Sequence, residues 1–192
     1  MKNILIFVGP SGSGKTLLSH YLKEEFGAVE FISTTSREKR IGEKNHEDYH
    51  FTSEDEFKKK VEKGEFIEYS NYAGNYYGLT KESVYETLKN HNFCAAVMDI
   101  KGACKIKLLF EDDKDVSVHL IFVHAKLSTL FLRMVERGDN NEKIAERLDN
   151  IIEDHELFNG GSCDFTIFND QDVDYAKREL RRYVEKILEN GK

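Results

Sequence analysis

The chain has 192 residues, 28 Lys+Arg against 35 Asp+Glu, and a formal net charge of −7. That length suits one compact domain with small inserted lobes, and an acidic balance without a Lys/Arg-rich stripe argues against broad nucleic-acid binding. No apolar run approaches the ~20 residues of a membrane helix, the N-terminal run is too short for a signal-peptide core, and Cys94, Cys104 and Cys163, widely spaced with no CxxC, read as reduced thiols of a cytoplasmic protein.

Apolar runs and helical patterns alternate along the chain. Asn3 to Val8 is a short continuous apolar strand, and Lys15 to Phe26 follows as a helix with Leu17, Leu18, Tyr21 and Leu22 at helical spacing. The middle differs: Asp48 to Phe51 and Glu65 to Tyr72 read as strands around a helix that starts on the capping box Ser53-Glu54-Asp55-Glu56. Phe93 to Met98 and Val116 to Val123 read as buried strands, followed by helices over Cys104 to Phe110 and Leu127 to Glu136. The polar segment Gly138 to Lys143 reads as a mobile loop. Phe165 to Phe168 is one more strand, and the terminal helix places Val173, Ala176, Leu180, Val184, Ile187 and Leu188 on one face. This order predicts an α/β fold with a parallel sheet covered by helices and an inserted lobe.

Gly9-Pro10-Ser11-Gly12-Ser13-Gly14-Lys15-Thr16 matches GxxxxGK[ST] and lies between the first strand and the first helix. Glycines let consecutive N–H groups face one anion, and the helix that starts there adds the positive end of its dipole. Lys15 can bridge the terminal phosphates and the Thr16 hydroxyl can hold Mg²⁺. This is a nucleoside-triphosphate site on a P-loop NTPase core. Farther on, Ser33-Thr34-Thr35-Ser36-Arg37-Glu38-Lys39-Arg40 and Asp48-Tyr49 put two arginines beside hydroxyls and a tyrosine. Those types suit a clamp for a second phosphate, although such a stretch also suits a solvated loop.

From here the sequence resembles the guanylate kinases. The Ser33 to Phe51 segment is similar to the family's S-T-T-R-x-P-R-x-G-E-x-x-G-x-D-Y-x-F. Gly64-Glu65-Phe66-Ile67-Glu68-Tyr69, Gly74-Asn75-Tyr76-Tyr77-Gly78, Asp99-Ile100-Lys101-Gly102-Ala103, Arg133-Met134-Val135-Glu136-Arg137-Gly138 and Asn169-Asp170 follow in the family's order, so the likeness runs from about residue 3 to 185. The resemblance implies a core (1–33, 93–136 and 148–192), a nucleoside-monophosphate lobe (34–92) and a helical lid (137–147). It also implies transfer of the ATP γ-phosphoryl group to GMP with Mg²⁺. Position by position, Gly9 to Thr16, Arg133, Arg137 and Asn169 would bind ATP. Ser33, Arg37, Arg40 and Tyr49 would hold the GMP phosphate, and Glu68, Tyr77, Gly78 and Asp99 would complete the acceptor pocket. Lys15, Arg37, Arg133, Arg137 and Arg147 would neutralise charge during transfer. The expected partners are ATP and GMP alone, in a monomer or homodimer without nucleic acid or membrane.

The match breaks at a few positions. Leu79 stands where the family has Ser or Thr reaching the guanine carbonyl, a role Thr80 could take. Val97 replaces an acid, Lys101 a glutamine, Lys39 a proline and His46 a glycine, and the Arg137 to Arg147 spacing is one residue short. A changed purine acceptor, or a guanylate-kinase-like binding module without catalysis, are the alternatives. His46, His50, His119, His124 and His155 show no HExxH or paired metal spacing and read as structural or surface residues.

Overall fold

The structure, a computed structural model, describes residues 1–39, 42–72, 74–153, 156–170 and 172–190. Strand β1 (Lys2–Val8) leads into helix α1 (Lys15–Phe26) and the short strand β2 (Val29–Glu30). Then come β3 (Thr34–Thr35), β4 (His50–Phe51), α2 (Glu54–Glu62), β5 (Phe66–Tyr72), β6 (Asn75–Thr80) and α3 (Lys81–Asn90). The second half runs β7 (Phe93–Val97), α4 (Ile100–Leu109), β8 (Val116–His124), α5 (Leu127–Glu136) and α6 (Asn141–Glu153). A 3₁₀ stretch (Glu156–Ser162), β9 (Phe165–Phe168) and α7 (Val173–Asn190) complete it.

One sheet has the order β2-β7-β1-β8-β9, all parallel, with β1 at its centre. Ile4, Ile6 and Val8 on one face of β1 pack with Val84 and Leu88 of α3 and Ala103 and Ile106 of α4. Leu5 and Phe7 on the other face pack with Leu18 and Leu22 of α1 and Leu180 and Val184 of α7. Both faces are covered, which is why β1 reads as an unbroken apolar run rather than an alternation. The expected α/β class is the one observed.

The second sheet, β4-β3-β6-β5, is mixed, with β3 and β4 parallel and β6 antiparallel to both β3 and β5. Helix α2 docks on it through Phe57, which stacks on Phe66 at 4.3 Å and on Tyr76 at 5.3 Å between ring centroids. The capping box forms as expected: Glu56 N–H donates to Ser53 Oγ at 3.2 Å, and Ser53 N–H to Glu56 Oε2 at 3.3 Å.

Three expectations need correction. Of the expected strand Asp48 to Phe51, His50 and Phe51 pair with β3 and Tyr49 only bridges Asn45, because Asp48 closes a turn by accepting Lys44 N–H on Oδ2 at 2.7 Å. The helix expected from Cys104 begins at Ile100, capped by Asp99, whose Oδ1 accepts Gly102 N–H at 2.7 Å. The segment Gly138 to Lys143 is not a loop throughout. Asn140 accepts Lys143 N–H on Oδ1 at 2.8 Å and Ile144 N–H on its carbonyl at 3.0 Å, so α6 starts at Asn141 and the turn shrinks to Gly138-Asp139-Asn140.

Candidate active site

The loop between β1 and α1 wraps tightly because three of its glycines have positive φ: 138° at Gly9, 85° at Gly12 and 102° at Gly14. A side chain at Gly9 would begin 2.5 Å from the Val123 carbonyl oxygen, and one at Gly14 would begin 2.3 Å from Asn169 Nδ2. Two expected nucleotide contacts brace the loop from behind. Arg133 donates to the carbonyls of Gly12 at 3.2 Å and Asn169 at 2.8 Å, and Asn169 Nδ2 donates to the Ser13 carbonyl at 2.8 Å. Both side chains therefore fix the loop's carbonyl side, which leaves its N–H side to face an anion.

Lys15 folds back over the same loop and donates to the carbonyls of Gly9 at 2.7 Å and Pro10 at 2.9 Å. Burial lowers its pKa to about 8, and the nearby Glu156 carboxylate opposes that shift. A cavity of about 430 Å³ opens here, lined by Gly9, Ser11 and Lys15 on one side and Asp99 and Lys101 on the other. Val97, Glu156 and Asn159 also line it, so two departures from the family pattern sit at the cleft itself. Thr16 is exposed at the start of α1.

Asp99 connects this cleft to Glu68. The Glu68 carboxyl lies on the first turn of α4, where a side chain at Gly102 would begin 3.0 Å from Glu68 Cγ. Burial and then the Asp99 charge raise its pKa to about 7, against Lys105. A half-buried carboxylate whose pKa is raised in this way is poised for a ligand's N–H groups.

A second cluster gathers Arg37, Tyr49 and Tyr77. The Arg37 fork is bidentate to Glu43, at 3.0 Å and 2.7 Å, and its charged carbon lies 5.6 Å from the Tyr49 ring centroid. Tyr77 adds to the electrostatic surroundings of Arg37, and its ring meets that of Tyr49 edge-on at 6.2 Å. Ser33, half-buried, accepts His50 N–H on its carbonyl at 2.8 Å, which ties β4 to this cluster. Gly78 answers to packing: a side chain there would begin 2.7 Å from Phe66 Cδ1 and 2.8 Å from the Glu68 carbonyl oxygen. Arg40 lies outside the described residues, as does His155.

A third group sits on the turn between α5 and α6. Arg137 donates to both oxygens of Asp139, and Arg147 donates to Asp139 Oδ2 at 2.6 Å. The hydrogen bonds and charge of Arg137, with Arg147 and Lys143 behind, hold the Asp139 carboxyl below the usual range. Glu43, Asp139 and Glu156, each beside a cation expected to bind phosphate, were not singled out by the sequence reading. Glu43 lies inside the Ser33 to Phe51 segment; the other two have no local signature.

Leu79 is 1% exposed and belongs to the core beneath the large sheet. Thr80 Oγ1 caps α3 by accepting Ser83 N–H at 3.2 Å, which fixes its position and leaves its own O–H as a donor.

The whole chain has relatives. A family model described as guanylate kinase matches residues 1–187. A guanylate kinase of Fusobacterium nucleatum is 34% identical over 190 residues, covering 98% of this chain and 96% of its own. One of Chlorobaculum tepidum is 32% identical over 170 residues, covering 87% and 84%. The crystal structure of guanylate kinase from Anaplasma phagocytophilum superposes with a TM-score of 0.65 at 22% identity, covering 96% of this chain and 85% of that one, a likeness of fold.

Proposed function

The chain belongs to the guanylate kinase family, and on that premise we propose how its residues transfer the γ-phosphoryl group of ATP to GMP, giving ADP and GDP. The observation that carries the assignment of roles is the position of Asp99, which lines the cleft of Lys15 and lies within electrostatic reach of Glu68. A triphosphate on the loop and a guanine on Glu68 would therefore share one cleft.

The acceptor is a phosphate with a second pKa near 6, ionised at neutral pH, so the reaction requires no general base. Its difficulty is bringing two polyanions into line, which calls for positioning and positive charge. Lys15 and the loop N–H groups hold the donor, and Arg37 with Tyr49, Ser33 and Arg40 holds the acceptor phosphate. Arg137 and Arg147 arrive when the lid turn closes and water is excluded. Arg133 and Asn169 act by stiffening the loop.

Magnesium fits this donor set. Among the described residues no three His, Cys, Asp or Glu side chains form a metal cluster, and Mg²⁺ is commonly held by phosphate oxygens and water with few protein oxygens. Thr16 would hold it, and the bound ion would neutralise charge on the terminal phosphates. No helix of the described residues is long and apolar enough to cross a membrane; we place the enzyme in the cytoplasm as a monomer or homodimer, with nucleotides as its ligands and neither nucleic acid nor membrane among its partners.

ADP release with GMP, dGMP, IMP, AMP, CMP and UMP tests the acceptor. IMP lacks the 2-amino group, and one hydrogen bond to a charged group is worth about 1.5–3 kcal/mol. IMP should therefore turn over at least about tenfold less efficiently than GMP, and AMP, without an N1–H donor, less efficiently again. Equal efficiency across the purines would remove Glu68 from base recognition.

Asp139 gives a second test. Its carboxylate competes with phosphate for the lid arginines, and an exposed ion pair is a weak competitor. Asp139→Asn should lower the KM for ATP, by at most about fivefold. A raised KM in initial-rate measurements would instead make Asp139 a support of the closed lid.

A further inference from the structure

A second cavity, about 600 Å³, is lined by none of the residues assigned above. It runs between β4 and α3, and His46, His50, Glu82 and Glu86 all line it. The two histidines are four residues apart, His46 in the loop before β4 and His50 at the start of β4, and their Nδ1 atoms face each other at 2.8 Å. His46 reaches this position with φ 66°, the one non-glycine residue at positive φ among those described. Such a backbone suits glycine and is uncommon for other residues, histidine being among those that adopt it more readily, and its use here directs attention to what the side chain does.

The pair lies on a single proton. Asn45 Nδ2 can only donate, so His46 Nε2, 3.1 Å away, carries a lone pair and His46 Nδ1 carries the hydrogen. That hydrogen points at the lone pair of His50 Nδ1. Burial first, then His46 and Lys60, lower the His50 pKa from its ordinary value, and the Glu82 carboxylate opposes them. Lys60 is already paired with Glu65 at 2.9 Å.

We propose that His46 and His50 form a two-imidazole chelate for a borderline divalent transition ion of the Zn²⁺ or Ni²⁺ class at the mouth of this cavity. Imidazole nitrogens suit such ions, whereas Mg²⁺ prefers oxygen. The ion takes the place of the shared proton. His46 becomes the Nε2–H tautomer, and the Asn45 amide turns to accept that hydrogen, giving up its bond from Phe51 N–H. Tetrahedral Zn²⁺ with bonds of about 2.0–2.1 Å sets neighbouring nitrogens about 3.3 Å apart, so the nitrogens part by about half an ångström and each ring turns to bring its lone pair from facing its neighbour onto the ion. Among the described residues no third His, Cys, Asp or Glu completes a cluster, so water fills the remaining positions, and Glu82 supplies attraction across the cavity.

Titration calorimetry with Zn²⁺ and with Ni²⁺, in excess Mg²⁺ and without nucleotide, tests this on the full chain. The wild type should bind one equivalent. His46→Gly and His50→Gln should each weaken binding by more than about tenfold, since even outer-shell partners of a metal ligand are worth about 10–100-fold. His46→Gly suits the positive φ, so its melting temperature without metal should match or exceed the wild type's, which separates lost binding from lost fold. Cys104→Ser and Cys163→Ser should bind as the wild type does. Binding unchanged in both histidine variants, loss confined to the thiol variants, or no binding by the wild type up to millimolar ion would each overturn the proposal.

Discussion

Lys15→Met lowers kcat/KM for Mg-ATP by about 10²–10³, the usual cost of losing one preorganised donor to developing charge, while the protein stays folded. The fold survives because the ammonium is not a stabilising group here. Its pKa in the folded chain is about 8, below the ordinary 10.5, because it is buried. Between those values the unfolded chain binds more protons than the folded one, so stability rises with pH through that window. Below pH 8 the charged lysine opposes folding, by up to about 3 kcal/mol. Methionine removes that opposition and leaves two carbonyls, Gly9 and Pro10, without their donor, at about 0.5–1.5 kcal/mol each. The two effects nearly offset, and urea melts at pH 7 should show little change. In the wild type, kcat/KM for ATP should decline above pH 8 as free Lys15 loses its proton. A variant with wild-type turnover would remove Lys15 from the chemistry.

Most of the site's identity could be read in the chain because its demands are local. A phosphate-binding loop requires glycines at fixed intervals between a strand and a helix, and Gly9, Gly12 and Gly14 carry the positive φ that this loop geometry implies. The covered sheet was equally legible, since unbroken runs such as Ile4 to Val8 have no other place to go. The lid turn was less so. Asn140 is an N-cap whose helix has its apolar residues only from Ile144 onward, and a polar first turn looks like loop. Helix α3 went unseen for a similar reason: Val84 and Leu88 are its only buried large apolar residues.

What the sequence could not convey is which carboxylate each cation meets within the fold. Arg37 finds Glu43 six residues on, and Arg137 and Arg147 converge on Asp139. The short Arg137 to Arg147 spacing is accommodated there, with one carboxylate serving both side chains. Arg133 and Asn169 show the opposite kind of surprise. They come from distant parts of the chain, and only the sheet order β1-β8-β9 brings them under the loop. Long-range placement of this kind leaves no periodicity to read.

Glu68→Gln should lower kcat/KM for GMP by at least about 10², because the amide cannot accept N1–H and N2–H together and each such bond to charge is worth about 1.5–3 kcal/mol. Discrimination against AMP should shrink by a similar factor. The same change should make the protein more stable at pH 8. Burial first, and the Asp99 charge second, put the Glu68 pKa at about 7 instead of 4.5. Between those values the folded chain keeps a proton that the unfolded chain has released, so stability falls as pH rises from 4.5 through 7. Above pH 7 the full cost is present, up to about 3 kcal/mol. Glutamine removes it, so the gain in urea midpoint should be largest at pH 8 and vanish near pH 4.5. In the wild type the same titration appears in function: only the carboxylate accepts guanine, and kcat/KM for GMP should fall toward a tenfold loss per unit as pH drops below 7. If Glu68→Gln keeps wild-type GMP efficiency, the carboxylate does not read the base. If it loses GMP without gaining stability at pH 8, the carboxylate binds guanine without straining the free enzyme. Loss of GMP together with a pH-dependent gain in stability would mean that this family member keeps an unfavourable buried charge because its substrate requires it.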